Sequence, residues 1–186
     1  MRELPNIKIL DEKDKILRTK SKDVTLPLSK EDKQLIEDAL NYLEMSQIEA
    51  EREKHDLRPG MGLSFIQLGL PKRIFVISEE DEEKPGTFNR YVVINPVVLS
   101  ESEEFIYVAE GEGCLSINRE IEGIVPRKAR ITIEAYDENG DLFELRVRED
   151  MAVAFQHELD HLDGILCIDH IDPRNPYKFK DRMREI

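Results

Sequence analysis

Met151-Ala152-Val153-Ala154-Phe155 runs almost directly into His157-Glu158-Leu159-Asp160-His161, and this stretch constrains the fold more than any other. On a helix it builds half of a metal site of the hydrolytic kind. At roughly 100° per residue, positions four apart fall about 40° apart around a helix, so both imidazoles face one way and can share one metal ion. Glu158 stands one residue further round, poorly placed to ligate that ion but able to reach a water on it, as a general base must. The chain has only four histidines and spends two of them here. A hydrolytic site of this type takes three protein ligands and leaves one position open, so a third ligand has to come from elsewhere.

Three candidates exist. In one protease frame the third ligand follows the second His by six residues, after a glycine, and here that frame reads Gly164 and then Cys167. Cys167 sits in the apolar run Ile165-Leu166-Cys167-Ile168, where a free cysteine usually acts as a small buried hydrophobe. A glutamate from a second helix is poorly served, since only Glu185 remains after Asp172-Pro173. Cys114 lies in Glu112-Gly113-Cys114-Leu115-Ser116, behind a glycine that lets backbone approach a bound group closely.

Gly60-Met61-Gly62-Leu63-Ser64-Phe65-Ile66-Gln67, the Cys114 segment and the histidine helix, in this order and approximate spacing, resemble the three motifs of peptide deformylase. The resemblance covers nearly the whole chain. The long spacer after the first block, Ile94-Asn95-Pro96 and Val125-Pro126-Arg127 are similar to the class common in Gram-positive bacteria. The resemblance implies that Cys114, His157 and His161 hold the metal, that Glu158 is the general acid and base, and that Gln67 and the backbone N–H of Leu115 stabilise a tetrahedral oxyanion. It pairs Arg127 with Asp160, a contact that would hold the histidine helix against the Cys114 loop. Gly60, Met61, Gly62, Val153 and Ala154 are expected to line the substrate pocket, the apolar ones walling in a methionine side chain.

The activity so implied is metal-dependent removal of the N-formyl group from the formylmethionine of new polypeptides, with release of formate. One divalent ion per chain is expected: the resemblance favours Fe²⁺ in the cell, while a Cys and two His also suit Zn²⁺, Ni²⁺ and Co²⁺. N-formylmethionyl peptides are the expected partners, with the ribosome, near the nascent-chain exit, as a docking partner through the locally basic stretch 177–184. The alternatives are an HExxH metallopeptidase and a non-catalytic deformylase-like binding protein.

The chain departs from the family pattern in one place. Two alanines usually follow the second glycine, where this chain has Ser64 and Phe65, and Ile66 stands where proline is frequent. A phenyl ring forced into a packed site costs about 1 to 3 kcal/mol. Either Phe65 points away or a neighbour has shrunk, Ala154 being the candidate.

The remaining features suit a soluble enzyme. At 186 residues and 40% hydrophobic the chain reads as one metal-dependent hydrolase domain, 1–186. Its net charge of −13 argues against a broad nucleic-acid-binding face. No apolar run approaches about 18 residues, the start lacks a secretion signal, and two cysteines, one needed as thiolate, fit a reducing cytoplasm. An amphipathic helix is predicted over 30–50, with Ser29 as its cap and Leu35, Ile36, Ala39, Leu40 and Leu43 on one face. Short strands are predicted at 73–77 and 91–94. A hairpin with a two-residue turn at Asn139-Gly140 should join Ile131/Ile133/Ala135 to Phe143/Leu145/Val147. The predicted fold class is α+β, peptide deformylase-like, with antiparallel sheets around a central metal-binding helix of residues 150–163.

Overall fold

The computed structural model describes residues 3–186. Helix α1, Lys30–Gln47, starts where Ser29 Oγ accepts the Asp32 N–H at 3.0 Å, and Glu31 and Asp32 complement its dipole. Ile36, Ala39, Leu40 and Leu43 are buried as predicted. The helix ends at Gln47 rather than 50 because Ile48 is extended, and a short α2, Glu49–His55, follows.

Among the described residues there are eight strands: β1 (Gly62–Ser64), β2 (Ile74–Glu80), β3 (Phe88–Glu101), β4 (Phe105–Tyr107), β5 (Arg127–Lys128), β6 (Arg130–Tyr136), β7 (Leu142–Arg148) and β8 (Arg184–Glu185). An antiparallel five-stranded sheet has the order β1-β2-β3-β6-β7. Its strand β2 is covered on both faces. Ile74 and Val76 join the cluster under α1, while Phe75 and Ile77 join the cluster under the helix that carries His157 and His161. A strand buried on both sides reads as a continuous apolar run, as Ile74-Phe75-Val76-Ile77 does. In β6 burial alternates, because Ile131, Ile133 and Ala135 alone face the core.

The β6–β7 hairpin forms, with a longer turn than predicted. Asp137 N–H bonds to Asp141 O at 3.0 Å and Gly140 N–H to Asp137 O at 3.0 Å, leaving 138–140 as the loop with Gly140 at φ 85°. Asp137 Oδ1 accepts the N–H groups of Asn139 and Asp141, which favours this longer turn over a two-residue one.

Helix α3, Glu149–Leu162, lies one residue from the predicted span at each end. Phe155 meets Phe75 and Tyr91 edge-on, with centroids 5.5 and 5.8 Å apart. Gly164, at φ 76°, turns the chain away just past the helix, and a Cβ there would lie 2.7 Å from Arg18 O.

A second sheet, β5-β4-β8, adds Ile106, with Ala129 just after β5 and Ile186 just after β8, to the apolar cluster around Val153 of α3. It departs from the expected pattern in one respect. The sheets are not wholly antiparallel, since β8 runs parallel to β4. The basic stretch 177–184 stays largely exposed and leads into the edge strand β8, where Ile186 N–H bonds to Tyr107 O and Ala109 N–H to Ile186 O, both at 3.0 Å. No helix of the described residues is long and apolar enough to cross a membrane.

Candidate metal centre and its cavity

Three distant segments close around one cavity of about 310 Å³: the 58–62 approach to β1 together with Gln67, the 111–115 loop, and one side of α3. On α3 the His157 and His161 rings meet edge to face at 5.0 Å. The loop brings Cys114 Sγ to 3.4 Å from His161 Nε2. Ligand atoms of Cys114, His157 and His161, all buried, lie within 4.8 Å of one another. A sulfur and two imidazole nitrogens converging this closely fit a divalent transition ion.

Cys167 stands outside that group. It is buried behind Cys114 in a small apolar cluster with Ile117 and Val125, and converges instead with Glu112 and His157. Hydrogen bonding with Cys167 holds the Cys114 thiol far below the usual thiol range, helped by His157 and His161 against the opposing effect of burial. The same contact pushes Cys167 the other way, up, a difference that suits Cys114 as the ligating sulfur.

Glu158 is 3% exposed, and burial raises its carboxyl above the ordinary value although His161, His157 and Ser64 pull the other way. A raised carboxyl suits a group that has to take a proton and give it back. The two glycines of the first block make room on either side. A Cβ at Gly60 would sit 2.7 Å from Leu115 Cδ1, and one at Gly62 would sit 2.5 Å from Glu158 Oε1. Gln67 is held by both ends of its amide: Oε1 accepts Ser64 N–H at 2.9 Å, and Nε2 donates to Ser116 Oγ at 3.1 Å and lies 4.0 Å from Cys114 Sγ. Met61, Val153 and Ala154 line the cavity beside Gly60, Gly62 and Leu115.

Arg127 and Asp160 meet at 2.6 Å, and the contact continues into the site through a residue the sequence reading passed over. Glu112 takes two bonds from Arg127, at 2.6 and 2.9 Å, and its Oε2 lies 2.9 Å from His157 Nδ1. With Nδ1 donating to Glu112, His157 Nε2 is left free to ligate. Burial raises the Glu112 carboxyl, but Arg127 and His157 outweigh it and hold the group below its ordinary value. Burial likewise lowers His157, and the Cys114 thiolate and Glu112 outweigh it, leaving that imidazole well above its ordinary value. The position of Glu112, two residues before Cys114, was its only sequence signal. His170 Nε2 also reaches Asp160 Oδ2, at 2.7 Å.

Arg58 was missed as well. Its guanidinium donates to the carbonyls of Cys114, Leu115 and Ile117 at 2.7, 3.1 and 2.8 Å and also bonds Asn118, so one side chain gathers the whole Cys114 turn. No motif marks it.

The departure at 64–65 resolves into two opposite faces. Phe65 is fully buried under α1 with Ile36, Leu40, Leu63 and Ile74, whereas Ala154 packs in the cluster on the other side of β2. The proposed exchange of volume between them is therefore overturned: the ring points away from the cavity. Ser64 turns toward α3, and its Oγ lies 2.5 Å from Glu158 Oε2.

A family model described as polypeptide deformylase matches residues 7–177. Peptide deformylase of Macrococcus caseolyticus is 46% identical over 162 residues, covering 87% of this chain and 88% of that one. The enzyme of the same name from Levilactobacillus brevis is 42% identical over 179 residues, covering 94% and 95%. The crystal structure of peptide deformylase from Thermotoga maritima superposes with a TM-score of 0.70 at 30% identity, over 90% of this chain and 98% of that one. A fold, a ligand cluster and a match of this extent agree, and the chain belongs to the polypeptide deformylase family.

Proposed function

We propose that residues 1–186 act as one hydrolase domain that removes the N-formyl group from the formylmethionine of newly made polypeptides, releasing formate. The observation that carries this reading is the buried convergence of Cys114, His157 and His161 beside Glu158 at a cavity walled by Met61, Val153 and Ala154.

Cys114, His157 and His161 would hold one divalent ion, which supplies Lewis acidity, lowering the pKa of a water and polarising the formyl carbonyl. Glu158 takes the proton of the attacking water and returns it to the departing amine nitrogen. Gln67 Nε2 and the Leu115 N–H donate to the oxyanion, an interaction worth about 2.7 to 4 kcal/mol when one such donor is lost. Arg127, Asp160 and Glu112 orient the imidazole of His157. The methionine side chain lies against Met61, Val153 and Ala154. Fe²⁺ is the proposed ion in the cell, with Zn²⁺, Ni²⁺ and Co²⁺ compatible with the same donors.

The proposed setting is the cytoplasm, where formylated chains emerge from the ribosome. Docking there is assigned to the basic stretch around Arg182, although Lys178, Lys180 and Arg184 of that stretch are engaged by Asp172, Glu185, Glu104 and Glu149. Deleting 177–186 would remove β8 along with the charges, so Arg182→Glu with ribosome co-sedimentation is the cleaner test; unchanged sedimentation ends the docking proposal.

Metal-loaded protein kept free of oxygen is incubated with formyl-Met-Ala-Ser and with its unformylated twin. Formate from the first and no cleavage of the second is the expected result. Internal cleavage would point to a peptidase, and no product from either to a binding protein.

A further inference from the structure

Ser64 occupies a place where alanine is usual in the family, and its surroundings give the extra hydroxyl a use. The residue is fully buried. Its Oγ lies 2.5 Å from Glu158 Oε2 and 3.2 Å from the Glu158 carbonyl, so the nearer acceptor for the hydroxyl is one oxygen of the carboxylate. The other oxygen, Oε1, lies against Gly62, and Gly62 and Glu158 both line the cavity. The backbone of Ser64 has a separate task, since its N–H fixes Gln67 through Oε1 at 2.9 Å.

We propose that Ser64 is a positioning residue for Glu158: its hydroxyl tethers Oε2 and leaves Oε1 as the oxygen that faces the substrate and exchanges the proton. The inference rests on the deformylase reading above. The side chain of Ser64 orients the base and its main chain orients the amide of Gln67. An alanine here keeps the second contact and loses the first. A carboxylate on two methylenes has rotamer freedom to lose, and a buried charge-assisted bond on one oxygen removes much of it before substrate arrives.

The test is Ser64→Ala beside wild type and Phe65→Leu, each assayed on formyl-Met-Ala-Ser with metal content and Tm measured. Ser64→Ala should lower kcat by about three- to tenfold, the reach of one hydrogen bond, with KM and metal content unchanged. Phe65→Leu alters the adjoining residue in the α1 cluster and should lower Tm while leaving kcat alone, which separates positioning from general loosening. In a Glu158→Gln background, followed by single-turnover formate release, Ser64→Ala should have no further effect. A kcat equal to wild type, or the same loss with and without Glu158, overturns the proposal. An inactive wild type overturns instead the reading on which it rests, so the two failures are distinguishable.

Discussion

The two walls of the cavity are built in contrasting ways. On α3, the helix itself spaces His157, Glu158 and His161, and a core including Phe155, Phe75 and Tyr91 holds that helix in place. The Cys114 loop has no such frame. Long-range polar contacts hold it: Arg58 on its carbonyls, Arg127 on Glu112, and Cys167 behind the sulfur. Local backbone geometry fixes the wall proposed to carry the chemistry, whereas side chains distant in sequence fix the wall proposed to complete the ligand set. Damage to the two walls should therefore look different.

The largest effect belongs to the helix wall. Glu158→Gln keeps size and hydrogen bonding but cannot accept the proton, so turnover should fall by about 10² to 10⁴ while metal content stays at the wild-type level. Metal loss in this variant would show that the helix wall is less independent than its packing implies.

Loosening the loop wall should do the reverse. Arg58→Ala removes the donors shared by Cys114, Leu115 and Ile117, and by analogy with other groups that support ligands, metal affinity should drop by about 10- to 100-fold in competition with a chelator. Arg58→Lys should recover only part of this, since an ammonium cannot span the same carbonyls. Wild-type affinity in Arg58→Ala would mean that the loop holds itself.

The smallest effect sharpens the contrast between the two cysteines. Cys167→Ser should retain the metal and lose about 1 to 2 kcal/mol of stability, read as a fall of roughly 2 to 8 °C in Tm for a domain of this size. Cys114→Ser should lose most of the metal. If Cys167→Ser lost it equally, Cys167 would have to be counted as a ligand.

What could be read from the sequence was local. The α3 span came from an apolar run with ligands four apart, α1 from a cap and a stripe, and β2 from an unbroken apolar run. The second sheet was not legible, because two- and three-residue strands have no periodicity and β8 pairs with β4 across a separation of 78 residues. The turn of the β6–β7 hairpin was misread because Asn139-Gly140 is a strong two-residue signal, while the Asp137 side chain that lengthens the turn lies outside the pair. In the site, motif residues could be named, but Arg58 and Glu112 could not. Their roles arise from where the fold brings carbonyls and a ring nitrogen, and neither residue type signals that by itself.

The opposite facing of Ser64 and Phe65 has a consequence for how such a chain can drift. Residues adjacent in sequence look like one coupled change, yet one side chain meets Glu158 and the other meets α1. If Ser64 positions Glu158 as proposed, ring size at 65 should register in stability and a hydroxyl at 64 in turnover, each apart from the other. On that reading neither substitution has to wait for the other.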